Sequence, residues 1–239
     1  MKVLTELEQQ AFGLSQSALV EFRELECHFQ LHQAVIDDYL ALQRQLVQQG
    51  FSLRLVSGYR SYHRQLEIIR AKASGRRAVL NELSQEVDIE QLSDKRLLQY
   101  IMRWSALPGL SRHHFGTDID VFDGAQMHRD QVQLIPSEVE RGGPCEAMHN
   151  ALDSMIESNN SFGFFRPYAF DSGAISPERW HLSHAPTARK FEECINSETV
   201  LALWKDSNLP LLSEIEPRID EIIDCYVKVR RENLPDWLC

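Results

Sequence analysis

At 239 residues, 43% hydrophobic and 25% charged, the chain is long enough for one good-sized domain and too apolar for wholesale disorder. Its 35 acidic against 25 basic residues leave a formal net charge of −10, which repels phosphate backbones and sets nucleic acid aside as a partner. No run reaches the roughly 20 apolar residues of a membrane helix, and five scattered cysteines without a CxxC pair exclude a disulfide framework or a zinc-thiolate site.

The first residues show no leader, because Glu6 and Glu8 interrupt the only apolar candidate. Cys27, Cys145, Cys194, Cys225 and Cys239 read as free thiols. Together these features make the cytoplasm the expected compartment, with periplasmic or cell-wall action as the alternative. Residues 15–49 read as helix, with Val35, Tyr39, Leu42 and Leu46 at helical spacing and Gly50 as the stop. Over 52–57, Leu53, Leu55 and Ser57 alternate with Arg54 and Val56, the pattern of a short strand closed by Gly58. Ser61 is placed to cap a helix through Gln65, Ile68 and Ile69.

Residues 74–94 form a charged surface excursion with some helix, and 95–104 are helical again. Leu107-Pro108-Gly109 is a turn. Residues 117–122 set Ile119 and Val121 against Asp118, Asp120 and Phe122, which predicts a strand with one apolar and one largely polar face. A break at Gly142-Gly143-Pro144 precedes a helix over 146–158, the run Phe162-Gly163-Phe164-Phe165, a turn at Ser172-Gly173 and a last strand over 179–183. Residues 197–239 are helical, punctuated by Pro210 and Pro217. The order predicts an α+β fold: a small, mostly antiparallel sheet flanked by helices, with helical N- and C-terminal extensions. The division is a main domain over 1–196 and a helical extension over 197–239.

The stretch that carries chemistry is Ser111-Arg112-His113-His114-Phe115-Gly116-Thr117-Asp118-Ile119-Asp120. Catalytic zinc sites take three ligands from His, Asp or Glu and leave the fourth position open. His113 precedes the strand, Asp120 sits on its polar face, and Gly116 lets the chain turn so that both face one point. The third ligand comes from Glu178-Arg179-Trp180-His181, where His181 lies on a strand and Glu178 just outside it. A carboxylate at Glu178 can take a proton from the attacking water without ligating the ion. By spacing alone this reading stands beside a plainer one, in which His113, His114 and the acids are solvated loop residues.

These segments resemble the SxHxxGxxxD and ExxH signatures of the VanY-type D-alanyl-D-alanine carboxypeptidases, zinc peptidases that share the Hedgehog/D,D-peptidase fold. Ser57-Gly58-Tyr59-Arg60-Ser61 with Gln65 resembles the family's SGYRS…Q element, and Leu107-Pro108-Gly109-Leu110-Ser111 its PPGxS lead-in. Residues 159–168, with their FGF, resemble the segment before the last strand. The likeness covers roughly residues 35–185. It implies one Zn2+ ion on His113, Asp120 and His181, Glu178 as catalytic base, and Arg60 facing the substrate's carbonyl or carboxylate. It places Ser111, Tyr59 and Gln65 on the substrate side, with a turn cap as the plain role for Ser111, a scaffold role for Gln65 and a structural ion pair for Arg60. His114 is not counted as a ligand. Asp118 stands where the family often has Ala, either as a partner to a ligand histidine or as a solvated edge residue. Arg179 replaces the family's proline, with an altered substrate contact as the consequence. The implied activity is a metallo-carboxypeptidase on peptidoglycan-type peptides, with a muropeptide as the expected partner; the alternatives are a murein endopeptidase and a non-catalytic binding module. The oligomeric state is left open.

Overall fold

The computed structural model describes residues 3–171 and 173–239; Met1, Lys2 and Ser172 lie outside the described residues, and with Ser172 one half of the turn expected at Ser172-Gly173. Thr5 opens α1 (Glu6–Ala11) with a reciprocal cap: its hydroxyl accepts from the Glu8 amide, and Glu8 accepts from the Thr5 amide. The helix expected from residue 15 is not there. β1 (Leu19–Glu24) and β2 (Cys27–His32) pair as an antiparallel hairpin, with Leu25 at φ 52 in its turn. The reason is a period of two: Phe29 and Leu31 are buried while His28 and Gln30 are exposed. Phe22 also stands edge-on to Tyr39, ring centroids 5.5 Å apart, so the hairpin's aromatic side is consumed by the next helix.

That helix, α2 (Ile36–Gln48), buries Tyr39, Leu42 and Leu46 and is followed by Gly50 at φ +91. β3 (Leu53–Ser57) and α3 (Tyr62–Ala73) match their sequence patterns, and the Ser61 hydroxyl accepts from the Arg64 amide at 3.1 Å. After a stretch of turns come α4 (Asp94–Trp104), a 3-10 turn over Arg112–Phe115, and β4 (Asp118–Asp123). The remaining elements are α5 (Pro136–Val139), α6 (Glu146–Glu157), β5 (Phe164–Phe165), β6 (His181–His184), α7 (Ala185–Glu192), α8 (Ser197–Asp206), α9 (Leu212–Ile215) and α10 (Ile219–Tyr226). The last strand thus begins two residues later than expected.

The main sheet runs β3-β4-β6-β5, with every neighbouring pair antiparallel. Ile119 and Val121 of β4 pack with Leu53, Leu55 and Leu182 against Tyr39, Leu42, Met148 and Leu152 of α2 and α6. The opposite face of β4 is also buried, including Asp118 and Asp120. An expected polar face is therefore an enclosed one, and carboxylates taken out of water need partners.

A second core joins α3 and α4 to the last helices: Leu66, Ile69, Leu98 and Ile101 pack with Trp204, Ile215, Ile219 and Ile222. The Trp204 indole donates to the Pro108 carbonyl at 2.7 Å. Beyond α10 the chain returns to the first core, where the Trp237 indole donates to the Ile156 carbonyl. Among the described residues no helix is long and apolar enough to cross a membrane.

Candidate metal centre

Strand register brings distant residues together. β4 and β6 pair so that Asp120 stands opposite His181 and Asp118 opposite Ser183. On the other flank a register shift between Leu55 and Ser57 sets Ser57 opposite Asp120, and its hydroxyl donates to Asp120 Oδ2. Gly116, at φ +68, ends the 3-10 turn that carries His113. A side chain is strained at that φ, and a Cβ there would also lie 3.0 Å from the backbone nitrogen of His32, so the turn into β4 favours glycine.

His113 Nδ1 lies 2.9 Å from the Gly58 carbonyl. A carbonyl can only accept, so Nδ1 carries the proton and Nε2, 3.3 Å from Asp120 Oδ2, keeps its lone pair free. His181 Nδ1 is 3.1 Å from Asp120 Oδ1. One donor atom from each of His113, Asp120 and His181 lies within 4.8 Å of the others, a group able to hold one metal ion. Ligands of a tetrahedral zinc stand about 3.4 Å apart when each bond is about 2.1 Å. The His-Asp-His donor set suits that ion, and the two histidines approach different oxygens of the Asp120 carboxylate, at 3.3 and 3.1 Å.

Asp118 is fully buried behind His181 and is no solvated edge residue. Its Oδ1 accepts from His181 Nε2 at 3.0 Å and from Arg112 Nε at 2.7 Å, and Oδ2 accepts from the Thr117 hydroxyl. Arg112 in turn donates to Glu192 and to Ser183 Oγ. Burial raises the Asp118 pKa, but the Arg112 charge together with the His181 and Thr117 contacts outweighs it and holds the carboxyl at about 2. For His181, burial pulls the pKa down, and hydrogen bonds to Asp118 and Asp120 lift it to about 9. His114 is no ligand. Its Nδ1 donates to the Arg60 carbonyl at 2.5 Å, its Nε2 accepts from the Gly109 amide at 2.9 Å, and burial holds it neutral with a pKa of about 3.

A cavity of about 260 Å³ opens onto this group, with Arg60, Ser111, Tyr168 and Glu178 in its wall. Glu178 Oε2 is 3.8 Å from His181 Nδ1. Burial lifts its pKa to about 7; the His181 charge opposes this and the Asp120 charge adds to it. Arg60 Nη1 donates to Gln65 Oε1 at 3.0 Å, a neutral partner in place of an ion pair. Ser111 lines the cavity, and its hydroxyl makes no cap bond to the 3-10 turn.

Two residues assigned to the substrate side lie elsewhere. Gln65 is fully buried behind Arg60, its amide nitrogen bonded to the Ala106 carbonyl. It has no edge left for a ligand because both ends of its amide are engaged. Tyr59 is turned out of the cavity, its hydroxyl donating to the Gly13 carbonyl and its amide to the Gln30 carbonyl. Arg179 is likewise drawn away, bonded to Asp153 and Asn150. Sequence reasoning missed Ser57, Arg112 and Tyr168, whose ring lies 5.1 Å from that of His181. Ser57 carried a signal, since its strand alternation was visible; the others depend on contacts across the fold.

A family profile described as VanY, D-alanyl-D-alanine carboxypeptidase, matches residues 28–187. An uncharacterized protein of Haemophilus influenzae is 31% identical over 120 residues, 49% of this chain and 89% of its own length. A second from the same organism is 39% identical over 80 residues, 34% of this chain and 54% of its own length. Among solved structures, VanYB in complex with D-alanine-D-alanine aligns with a TM-score of 0.49 at 20% identity, over 77% of this chain and 88% of that one. The LdcB LD-carboxypeptidase aligns with a TM-score of 0.47 at 20% identity, over 84% and 78%.

Proposed function

The chain belongs to the VanY family of D-alanyl-D-alanine carboxypeptidases, and from that premise we propose that it is a zinc carboxypeptidase that removes the C-terminal residue of D-amino-acid-containing peptides of the peptidoglycan type. The observation that carries this reading is the convergence of His113, Asp120 and His181 on a cavity that also holds Glu178 and Arg60.

Zinc, when bound by His113, Asp120 and His181, supplies Lewis-acid polarisation of the scissile carbonyl and makes the attacking water more acidic. The chain's own residues do the rest. Glu178 is buried enough to be a base poised near neutral pH, takes the proton of the attacking water, and passes it to the departing amine. Arg60 presents a permanent, planar charge to the carbonyl oxygen as that oxygen becomes negative. Gln65 holds the guanidinium in place, and Asp118 fixes the ring of His181. At about 260 Å³ the cavity is below the roughly 300–1,000 Å³ usual for small-molecule pockets, which suits the end of a peptide better than its length.

The test is a panel of peptides ending in D,D- and L,D-linked residues, with L-Ala-D-Glu bonds in the interior, digested by the zinc-loaded protein and read by mass spectrometry. Release of one C-terminal residue is expected. Cleavage only at the interior bonds would replace this reading with an endopeptidase, and turnover that survives complete removal of metal would end it.

A further inference from the structure

Glu178 and His181 are the two ends of one tight turn. The His181 amide donates to the Glu178 carbonyl at 2.9 Å, and Arg179 and Trp180 form the corner between them. Whatever fixes that corner fixes where the Glu178 carboxylate stands relative to the metal group. The backbone anchors part of it: the Glu178 amide donates to the Tyr168 carbonyl at 2.9 Å, and the Trp180 carbonyl accepts from the Val121 amide at 3.0 Å. The first corner residue has no such anchor, because among the described residues the Arg179 amide meets no acceptor.

Its side chain supplies what the backbone lacks. Arg179 Nε donates to Asp153 Oδ2 at 3.1 Å, and Nη2 donates to the same oxygen and to Asn150 Oδ1 at 2.6 Å. Nη1 donates to the Val139 carbonyl at 2.5 Å. Asn150 and Asp153 lie three residues apart on α6, and Val139 ends α5. One planar fork of donors therefore pins the corner to two helices. Asp153 is itself braced, since its other oxygen accepts from Nε of the buried Arg166 at 2.6 Å. The clamp stands apart from the substrate side: Arg179 borders a different cavity, of about 330 Å³, and not the one that holds Glu178. Proline suits the first corner of such a turn because its ring sets φ before the chain folds. Arginine carries no such restraint, and here four polar contacts take its place.

We propose that Arg179 is a positioning residue: its clamp to α5 and α6 holds the turn that sets the Glu178 carboxylate against the metal group. The inference rests on the peptidase reading above. It gives a role to the position at which this chain departs from the family signature.

The test compares Arg179→Met with Arg179→Pro. The side chain is 24% exposed and Asp153 keeps Arg166, so neither change strands a buried charge. Amide hydrogen exchange is read by NMR in metal-free protein, with the amides of α2 as reference. Arg179→Met should speed exchange at the Glu178 and His181 amides about 10-fold and leave α2 unchanged. In zinc-loaded protein, on a peptide ending in D-Ala-D-Ala, the same change should lower kcat about 10–100-fold with KM and zinc content unchanged. Arg179→Pro should return both exchange and kcat to near their starting values, since the ring restores the restraint without any side-chain contact. An unchanged kcat in Arg179→Met, a loss carried by KM, or a loss that Arg179→Pro fails to reverse overturns the proposal. The expected exchange pattern in a protein that turns over no peptide supports the clamp and overturns only the peptidase reading.

Discussion

Glu178 combines two properties that a base needs: it sits beside the metal group, and its carboxyl is neither strongly acidic nor permanently neutral. With its pKa lifted to about 7, the protonated form prevails at lower pH and cannot accept a proton, so kcat/KM should rise with pH along an acid limb. A cation held by the trio adds positive charge nearby, so that limb should fall below 7 in the zinc-loaded enzyme; a pH–rate profile checks both points. Glu178→Gln should cost about 10²–10⁴ in kcat with metal content by elemental analysis unchanged. Asp118→Asn replaces the charged acceptor of His181 Nε2 with a neutral one and should weaken metal binding about 10–100-fold in competition with a chelator. His32 gives a stability prediction away from the metal. Burial, then the charges of Lys190 and His184, hold its pKa at about 4 against an ordinary 6.5. The unfolded chain takes up the proton first, so stability should fall as pH drops through 6.5 and go on falling to about 4. Thermal melts at pH 7.5 and 5 should show this, and His32→Asn should flatten the difference. At this scale the metal trio and Glu178 were legible because their residue types and spacing carry the chemistry. Asp118 was legible only as a neighbour of Asp120 on one strand face, because the bond that defines its role spans 63 positions.

Gly116 shows what an element boundary contributes. An added methyl at φ +68 would meet Leu19 Cδ2 at 2.5 Å and the His32 backbone nitrogen at 3.0 Å. Gly116→Ala should therefore destabilise by about 1–3 kcal/mol in urea melts and reduce metal content, since the same turn aims His113. The strands β3 and β4 and the helices α3 and α6 could be read from periodicity and caps because one pattern dominated each. The hairpin could not. Between residues 15 and 35 the apolar residues fit either period over short runs, and contact with Tyr39 decides between them. The shift that sets Ser57 against Asp120 leaves no trace in sequence, since it is a property of two paired strands.

At the scale of the whole molecule, the helices after residue 197 are part of the packing and not an ornament. Val200, Trp204, Ile215, Ile219 and Ile222 are buried in the core that α3 and α4 line. A chain cut at 196 should lose its cooperative thermal transition, because α3, the helix that carries Gln65 and Lys72, would expose its apolar face. Metal should act in the other direction. Zinc at about 100 times its Kd should add about 2.7 kcal/mol to stability, and a melt with and without chelator should show it. Sequence periodicity announced these helices but not where they dock, because their burial depends on residues a hundred positions earlier. That docking has a consequence in time. The Trp204 indole holds the Pro108 carbonyl, the Gly109 amide holds His114, and His114 holds the Arg60 carbonyl. A ribosome makes His113, Asp120 and His181 before it makes Trp204. A nascent chain therefore owns every metal-binding side chain while the support beneath Arg60 has yet to emerge, and it gains its metal grip before it gains its catalytic aim.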